Sequence, residues 1–331
     1  YLEKTKWVAL GLYALGVRRG DHVAIIGENK PEWLYCAFGA MCSGAIYVGI
    51  YTTSPSKECE YIVGHSESVV YLCEDEEQFD KALEFRDKTP SLRKAIVWDM
   101  EGLRHFEDPM MMSFDELLAL GRQTDEDNPG LFLDLVNQTQ PEDIAGIIYT
   151  SGTTGMPKGA MLTHEGYLWM GKAVCSVTDI NENDETISFL PLNHIFEQIF
   201  DFLVHNVIGH VVNFTENTDT VMADMIDVSP TMFHAVPRIW EKYYSGIIIR
   251  MDDATWLKRT LYHLAVKIGT AYNDLVLEKK KPSLALTVAY KLAYFTVFWK
   301  LKKRLGFDRM RLGVSAAAPI SHNILKFFQS M

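Results

Sequence analysis

Ile144-Ala145-Gly146-Ile147-Ile148-Tyr149-Thr150-Ser151-Gly152-Thr153-Thr154-Gly155-Met156-Pro157-Lys158-Gly159-Ala160-Met161-Leu162 is the stretch on which the reading of this sequence turns. Apolar runs flank a polar, glycine-rich centre, so the stretch predicts two strands joined by a long hairpin turn. Gly152, Gly155 and Gly159 free the backbone to turn N–H groups inward as a nest for an anion. Thr150, Ser151, Thr153 and Thr154 add neutral donors, and Lys158 adds a point charge whose contact with an anion is worth roughly 1.5–3 kcal/mol. Together these groups suit a polyphosphate. The G-x-x-x-x-G-K-[ST] spacing is absent and no helix follows Lys158 directly, so this is a different device from a Walker A loop.

Outward from the hairpin, short β-branched runs alternate with helical patterns, the mark of parallel strands with helical crossovers. Residues 22–26, 69–72 and 95–98 read as buried strands, and a helix opens at Pro31. Residues 100–140 are polar and Met/Asp-rich and read as a connector. Later strands are expected at 188–190, 211–214, 231–236 and 311–314. The 331 residues are 48% hydrophobic and 23% charged, enough to bury a sizeable core. A net charge of -11 argues against non-specific nucleic-acid binding. Cys36, Cys42, Cys59, Cys73 and Cys175 form no C-x-x-C pair and read as reduced thiols of a cytoplasmic protein.

The hairpin string resembles the Ser/Thr-Gly-Thr-Thr-Gly-x-Pro-Lys-Gly signature of the acyl-adenylate-forming enzymes, matched from Ser151 to Gly159. Leu190-Pro191-Leu192-Asn193-His194-Ile195-Phe196-Glu197 is similar to a segment of the long-chain acyl-CoA synthetases. Ser315-Ala316-Ala317-Ala318-Pro319 is similar to the family's adenine-packing turn, with Ala316-Ala317 where a double glycine is usual. Val236-Pro237-Arg238-Ile239-Trp240-Glu241-Lys242, Gly27-Glu28-Asn29-Lys30-Pro31-Glu32-Trp33 and Ile50-Tyr51-Thr52-Thr53 point to the same long-chain branch.

The resemblance implies an α/β fold: the large N-terminal domain of acyl-adenylate-forming enzymes, with stacked αβα subdomains and mostly parallel sheets. Residues 1–140 would form one subdomain plus connector, and 141–331 a second. Both ends read as cuts within helical patterns, and no Tyr-Gly-x-Thr-Glu or catalytic-lysine domain follows. The expectation is a truncated domain that does not make acyl-CoA unaided.

The implied reaction is ATP-dependent activation of a long-chain fatty acid to acyl-AMP and then to acyl-CoA, with ATP, Mg2+ and coenzyme A. Thr150, Ser151, Gly152, Thr153, Thr154, Gly155, Lys158 and Gly159 would hold the phosphates, and Ala316, Ala317, Ala318 and Pro319 the adenine. His194 and Lys158 would be the catalytic residues, and His194, Phe196, Ile199, Phe200 and Arg238 would bind acid or CoA; no metal ligand is assigned. Each has a plainer alternative: a capping histidine, a core stripe, a surface ion pair. A ligase for an aryl or medium-chain acid, or a non-catalytic nucleotide- or lipid-binding module, stays open beside the main reading.

Residues 283–304 form an apolar, aromatic helix flanked by Lys279-Lys280-Lys281 and by Lys300, Lys302, Lys303 and Arg304. Lys291 breaks the uncharged run below the ~20 residues that span a bilayer. It reads either as an interfacial helix on anionic lipid, making the protein peripheral on a membrane, or as a helix packed in the domain.

Overall fold

The computed structural model describes residues 1–150 and 155–331. They divide into two compact units: Tyr1–Asp179 with Phe189–Ile208, and Ile180–Ser188 with Gly209–Met331. The division expected at 140/141 is not where the units part, because the hairpin strands belong to the first unit's sheet.

That sheet contains β1 (His22–Ile26), β2 (Ile46–Ile50), β3 (Val70–Cys73), β4 (Lys94–Val97), β5 (Met111–Ser113), β6 (Ile144–Thr150) and β7 (Lys158–Thr163). The strand order is β5-β4-β3-β1-β2-β6-β7, parallel throughout except for the antiparallel β6–β7 edge. Helices α1 (Leu2–Ala14), α2 (Pro31–Cys42), α3 (Ser56–His65), α4 (Glu76–Phe85), α5 (Phe114–Asp127), α6 (Leu131–Gln138) and α7 (His164–Val177) accompany it.

Side chains alternate along the strands, so each strand feeds two cores. Ala24, Ile26, Val48, Ile50, Tyr71 and Val97 pack with Cys59, Ile62 and Val63 of α3 and Phe79 and Ala82 of α4. The opposite parity meets α2, where Trp33 lies edge-on to Tyr47 at 5.9 Å. The chain therefore leaves β1 towards one face and β2 towards the other. Such a switch opens a crevice at the strands' carboxyl ends.

Residues 100–140 are more than a connector. They supply edge strand β5 and helices α5 and α6. α5 starts on a capping box, Ser113 with Glu116, a pattern present in the sequence. The first unit closes with α8 (Ile195–Gln198), a π-helical segment Ile199–Val204, and α9 (His205–Ile208).

In the second unit β8 (Glu185–Ser188) pairs in parallel with β9 (Val211–Phe214), and β10 (Met232–Ala235) with β11 (Leu312–Ser315). The strand expected at 188–190 thus ends at Ser188. The helices are α10 (Val221–Val228), α11 (Pro237–Asp252), α12 (Trp256–Leu277), α13 (Leu284–Ala293), α14 (Trp299–Leu305) and α15 (His322–Gln329), with a π-helical segment Tyr294–Phe298 between α13 and α14. Phe233 packs edge-on to Trp240 and Tyr243 at the centre. Burial alone would raise the Asp184 carboxyl, but hydrogen bonds from Arg311 and Thr231 hold it below its ordinary value.

Candidate functional site

The hairpin forms as its sequence predicts, with Tyr149 opposite Gly159 and Thr150 opposite Lys158 across β6 and β7. Its glycines serve different purposes. Gly155 has φ +96° with no neighbour near its missing Cβ among the described residues, so there glycine supplies backbone conformation. Gly159 has no positive φ, but a Cβ would come within 2.7 Å of Ile147 and 3.4 Å of the Tyr149 ring. There glycine supplies room. Ser151, Gly152, Thr153 and Thr154 lie outside the described residues. Thr150 and Lys158 are exposed, and Lys158 makes no ion pair among the described residues.

A cleft of about 360 Å3 opens at the carboxyl ends of β2 and β6. Thr150 and Pro157 of the hairpin line it, together with His194 and Ile195. Gly49, Tyr51, Thr53 and Ser54, on β2 and the segment into α3, form much of the rest of its wall with Glu58 of α3 and Tyr149 of β6. Two motifs separated by some forty residues thus share one cavity. The contribution of β2 went unassigned in the sequence, although Ile50-Tyr51-Thr52-Thr53 was a motif that marked it.

His194 caps α8: its Nδ1 accepts the Phe196 N–H at 3.1 Å. Burial lowers its pKa, so the ring is neutral near pH 7. With Nδ1 used as an acceptor, the proton sits on Nε2 as a donor. The capping alternative is therefore realised at one nitrogen while the ring still lines the cleft.

The loop carrying His194 is clamped from several sides. Glu197, fully buried, accepts from the N–H groups of Phe189 (2.8 Å) and Leu190 (3.2 Å). Asn29, from the Gly27–Trp33 motif, donates to the Leu190 carbonyl at 2.7 Å. Gln198 donates to the Leu192 carbonyl at 2.7 Å and accepts from Tyr47 (2.9 Å) and Tyr167 (3.1 Å). Asn193 presses against β2 so closely that a Cβ on Gly49 would lie 2.9 Å from the Asn193 Cβ. Tyr47, Tyr167 and Gln198 are partners that sequence reasoning did not single out, and Asn29 stood there only as part of a quoted motif.

Phe196 and Phe200 are buried and meet edge-to-face at 5.7 Å, and neither lines the cleft. Ile199 opens the π-helical segment, half-buried.

In the second unit the Ser315–Pro319 turn leaves the end of β11, with Ala317 at φ +70°. Trp240 donates to the Val314 carbonyl at 3.2 Å, and Gly313 leaves room for its ring, 3.0 Å from where a Cβ would stand. The Val236–Lys242 motif therefore braces the strand that carries the turn. Ser315 Oγ is buried without a hydrogen-bond partner among the described residues. Arg238 is exposed near the start of α11 and makes no ion pair among the described residues, so the surface-pair alternative is not drawn.

Fold and cleft define a class. The family described as AMP-binding enzyme matches residues 1–331, and the chain belongs to that family. It is similar to Long-chain-fatty-acid–CoA ligase ACSBG2 of Homo sapiens, 32% identical over 336 residues, covering 100% of this chain and 49% of the relative. The chain spans about half the length of the curated relatives it matches. Among solved structures, the A-PCP didomain of carboxylic acid reductase from Segniliparus rugosus in complex with AMP shares the fold with a TM-score of 0.72. Identity there is 21%, over 99% of this chain and 44% of that one. A long-chain-fatty-acid-CoA ligase (FadD1) from Archaeoglobus fulgidus gives a TM-score of 0.66 at 18% identity, over 98% of this chain and 51% of that one.

Proposed function

We propose that this chain is the nucleotide- and acid-binding part of an AMP-forming long-chain fatty acid–CoA ligase. The observation that carries this reading is the shared cleft: Thr150 and Pro157 of the hairpin and His194 of the Leu190–Glu197 motif line one cavity.

In the first half-reaction a carboxylate oxygen of the acid bonds to the α-phosphorus of ATP, and the bridging oxygen to the β-phosphate leaves with pyrophosphate. In the second, the CoA sulfur bonds to the acyl carbon, AMP leaves, and the thiol proton passes to solvent. The first step needs positioning and charge neutralisation more than proton transfer. Lys158 and the hairpin hydroxyls supply donors for the β- and γ-phosphates. The neutral His194 offers its Nε2–H to the acid or the α-phosphate, which orients an anion without pairing a second cation with it. Magnesium would ride on the phosphates, and no residue of this chain is assigned to it. Ala316 to Pro319 would carry the adenine; Ser315 Oγ, buried and unpartnered by the protein, fits a turn that hydrogen-bonds a ligand. Phe196, Ile199 and Phe200 would meet the acyl chain only outside this cleft, whose lining includes none of them, and Arg238 is free to meet a CoA phosphate.

The test is carboxylate-dependent ATP–pyrophosphate exchange by the intact protein across saturated acids from about eight to twenty carbons, with benzoate beside them. Exchange that peaks with long chains is expected. A peak at benzoate or at the shortest acids assigns an aryl or medium-chain ligase instead, and no exchange with any acid leaves a binding module.

We propose further that the protein is cytoplasmic and meets membranes peripherally through residues 283–304. Leu284–Leu305 is one helix, long and apolar enough by length and composition to cross a membrane, and little of it is buried. This exceeds the sequence expectation, in which Lys291 cut the run short. Its inner side packs through Ala293 and Phe298 against Ala265, while Leu284, Val288, Leu292, Phe295 and Trp299 are exposed on the outer side. Residues 279–304 hold eight basic and no acidic side chains, so the chain's net -11 divides into +8 here and -19 elsewhere. That combination matches an interface with anionic headgroups. Flotation with phosphatidylserine-containing vesicles but not with neutral ones is expected; no flotation with either discards this contact.

A further inference from the structure

A polar cluster behind the hairpin is used by none of the steps above. Tyr61 and His65 sit one turn apart on α3, their rings stacked at 5.2 Å. The Tyr149 ring stands edge-on to both, 6.4 Å from Tyr61 and 5.9 Å from His65. His65 Nδ1 and the Tyr149 hydroxyl share a hydrogen bond of 2.7 Å, and the Tyr61 hydroxyl donates to the Pro157 carbonyl at 3.2 Å.

Tyr149 belongs to the outgoing limb of the hairpin, and Pro157 precedes Lys158 on the returning limb. One helix face therefore grips both limbs, one by a side chain and the other by a backbone carbonyl. Tyr149 is 6% exposed, and burial, with Tyr61 adding to it, pushes its pKa up to about 12, so the hydroxyl keeps its proton. Gly159 completes the clamp by leaving space for the Tyr149 ring over the returning strand. The same helix sends Glu58 and Ile62 to the wall of the cleft. A shift of α3 would thus move the cleft wall and both limbs together.

We propose that Tyr61 and His65 are positioning residues that set the stem of the hairpin, and with it Lys158, for the phosphates of the nucleotide. The inference rests on reading the hairpin as the phosphate loop. Hydrogen bonds of this kind shift an equilibrium about 2- to 10-fold each, and the loss should appear in nucleotide binding. The acid should feel the loss less than ATP does, because neither ring itself lines the cleft, although Tyr149 and Pro157, which they hold, do.

The experiment takes the intact protein through Tyr61→Phe, His65→Leu and His65→Gln. Tyr61→Phe keeps the ring stack and removes only the hydroxyl; His65→Gln keeps a polar partner for Tyr149. Expected are KM for ATP raised about 2- to 10-fold by Tyr61→Phe and by His65→Leu, a smaller rise in KM for the fatty acid, and most of the loss restored by His65→Gln. Amide hydrogen exchange read on peptides spanning the stem, 144–150 and 155–163, should accelerate in Tyr61→Phe. Unchanged KM for ATP with unchanged exchange overturns the proposal, as does a parallel fall of melting temperature and every kinetic constant. Should the wild type lack carboxylate-dependent turnover, the functional reading fails by itself. The exchange data would then decide the tether alone: unaltered stem protection in Tyr61→Phe overturns it.

Discussion

The two turns read as nucleotide-binding, one in each unit, meet similar backbone demands with different residues. Among the described residues of the β6–β7 hairpin the left-handed position is Gly155, at φ +96°, and the tight position is Gly159, under the Tyr149 ring. In the turn after β11 the left-handed position is Ala317, at φ +70°. An L-residue held in that region costs roughly 1–2 kcal/mol. Glycine in a motif can thus mark conformation, as at Gly155, or space, as at Gly159, and a family glycine can give way to alanine at the expense of strain. A motif match alone does not separate these cases. The hairpin also carries the only cation of the two turns, Lys158, so the largest functional consequences should fall on its side.

Lys158→Ala in the intact protein should slow adenylation about 10–1000-fold, the range for losing a charge-assisted contact to developing charge. Lys158 is exposed, so the melting temperature should stay within about a degree. Pyrophosphate exchange at the wild-type rate would remove the hairpin from the nucleotide site and with it the contrast between the turns.

The two hairpin glycines come next. Gly159→Ala places a Cβ 2.7 Å from Ile147 and 3.4 Å from the Tyr149 ring, and overpacking of this kind costs about 1–3 kcal/mol. Gly155→Ala meets nothing among the described residues, so its expected cost is conformational, about 1–2 kcal/mol. Asparagine discriminates between the causes. It tolerates a left-handed backbone better than alanine but is larger, so Gly155→Asn should be milder than Gly155→Ala, and Gly159→Asn harsher than Gly159→Ala. Denaturant unfolding of the four variants reads both orders, and a reversal of either one exchanges the roles assigned to these glycines.

Much of this was legible in advance because it is local. Alternating and buried apolar runs mark β1, β3, β4 and β6, and the glycine-hydroxyl string between Ile148 and Ala160 marks the hairpin. Residues 100–140 misled because β5 is only three residues long and exists by pairing with β4, although the Ser113–Glu116 cap was there to be read. The unit boundary was obscured because Phe189–Ile208 returns to the first unit after β8, a fact of tertiary contacts alone. The partners that fix the site, Asn29 on Leu190, Gln198 on Leu192 and His65 on Tyr149, lie between 6 and 161 residues apart. No spacing rule reaches most of them. His194 shows the middle case: the motif placed it at the site, and only the bond from Phe196 N–H assigned its proton to Nε2.

The smallest expected effect bears most directly on the comparison. Ala317→Gly removes a Cβ from a left-handed residue and so releases roughly 1–2 kcal/mol of strain. Glycine gives back part of this through the greater freedom of its unfolded chain, about 0.4–1 kcal/mol. The balance is a gain of about 0.5–1 kcal/mol, visible as a higher denaturation midpoint at unchanged slope. If the alanines do narrow the turn that would carry adenine, the same variant should tighten ATP binding severalfold while leaving the rate at saturating ATP as it was. Loss of stability in Ala317→Gly would mean that its methyl packs favourably and the turn is relaxed as it stands. In that event the departure from the family's double glycine would be an equivalent solution of the turn, and the asymmetry between the two turns would be one of charge alone.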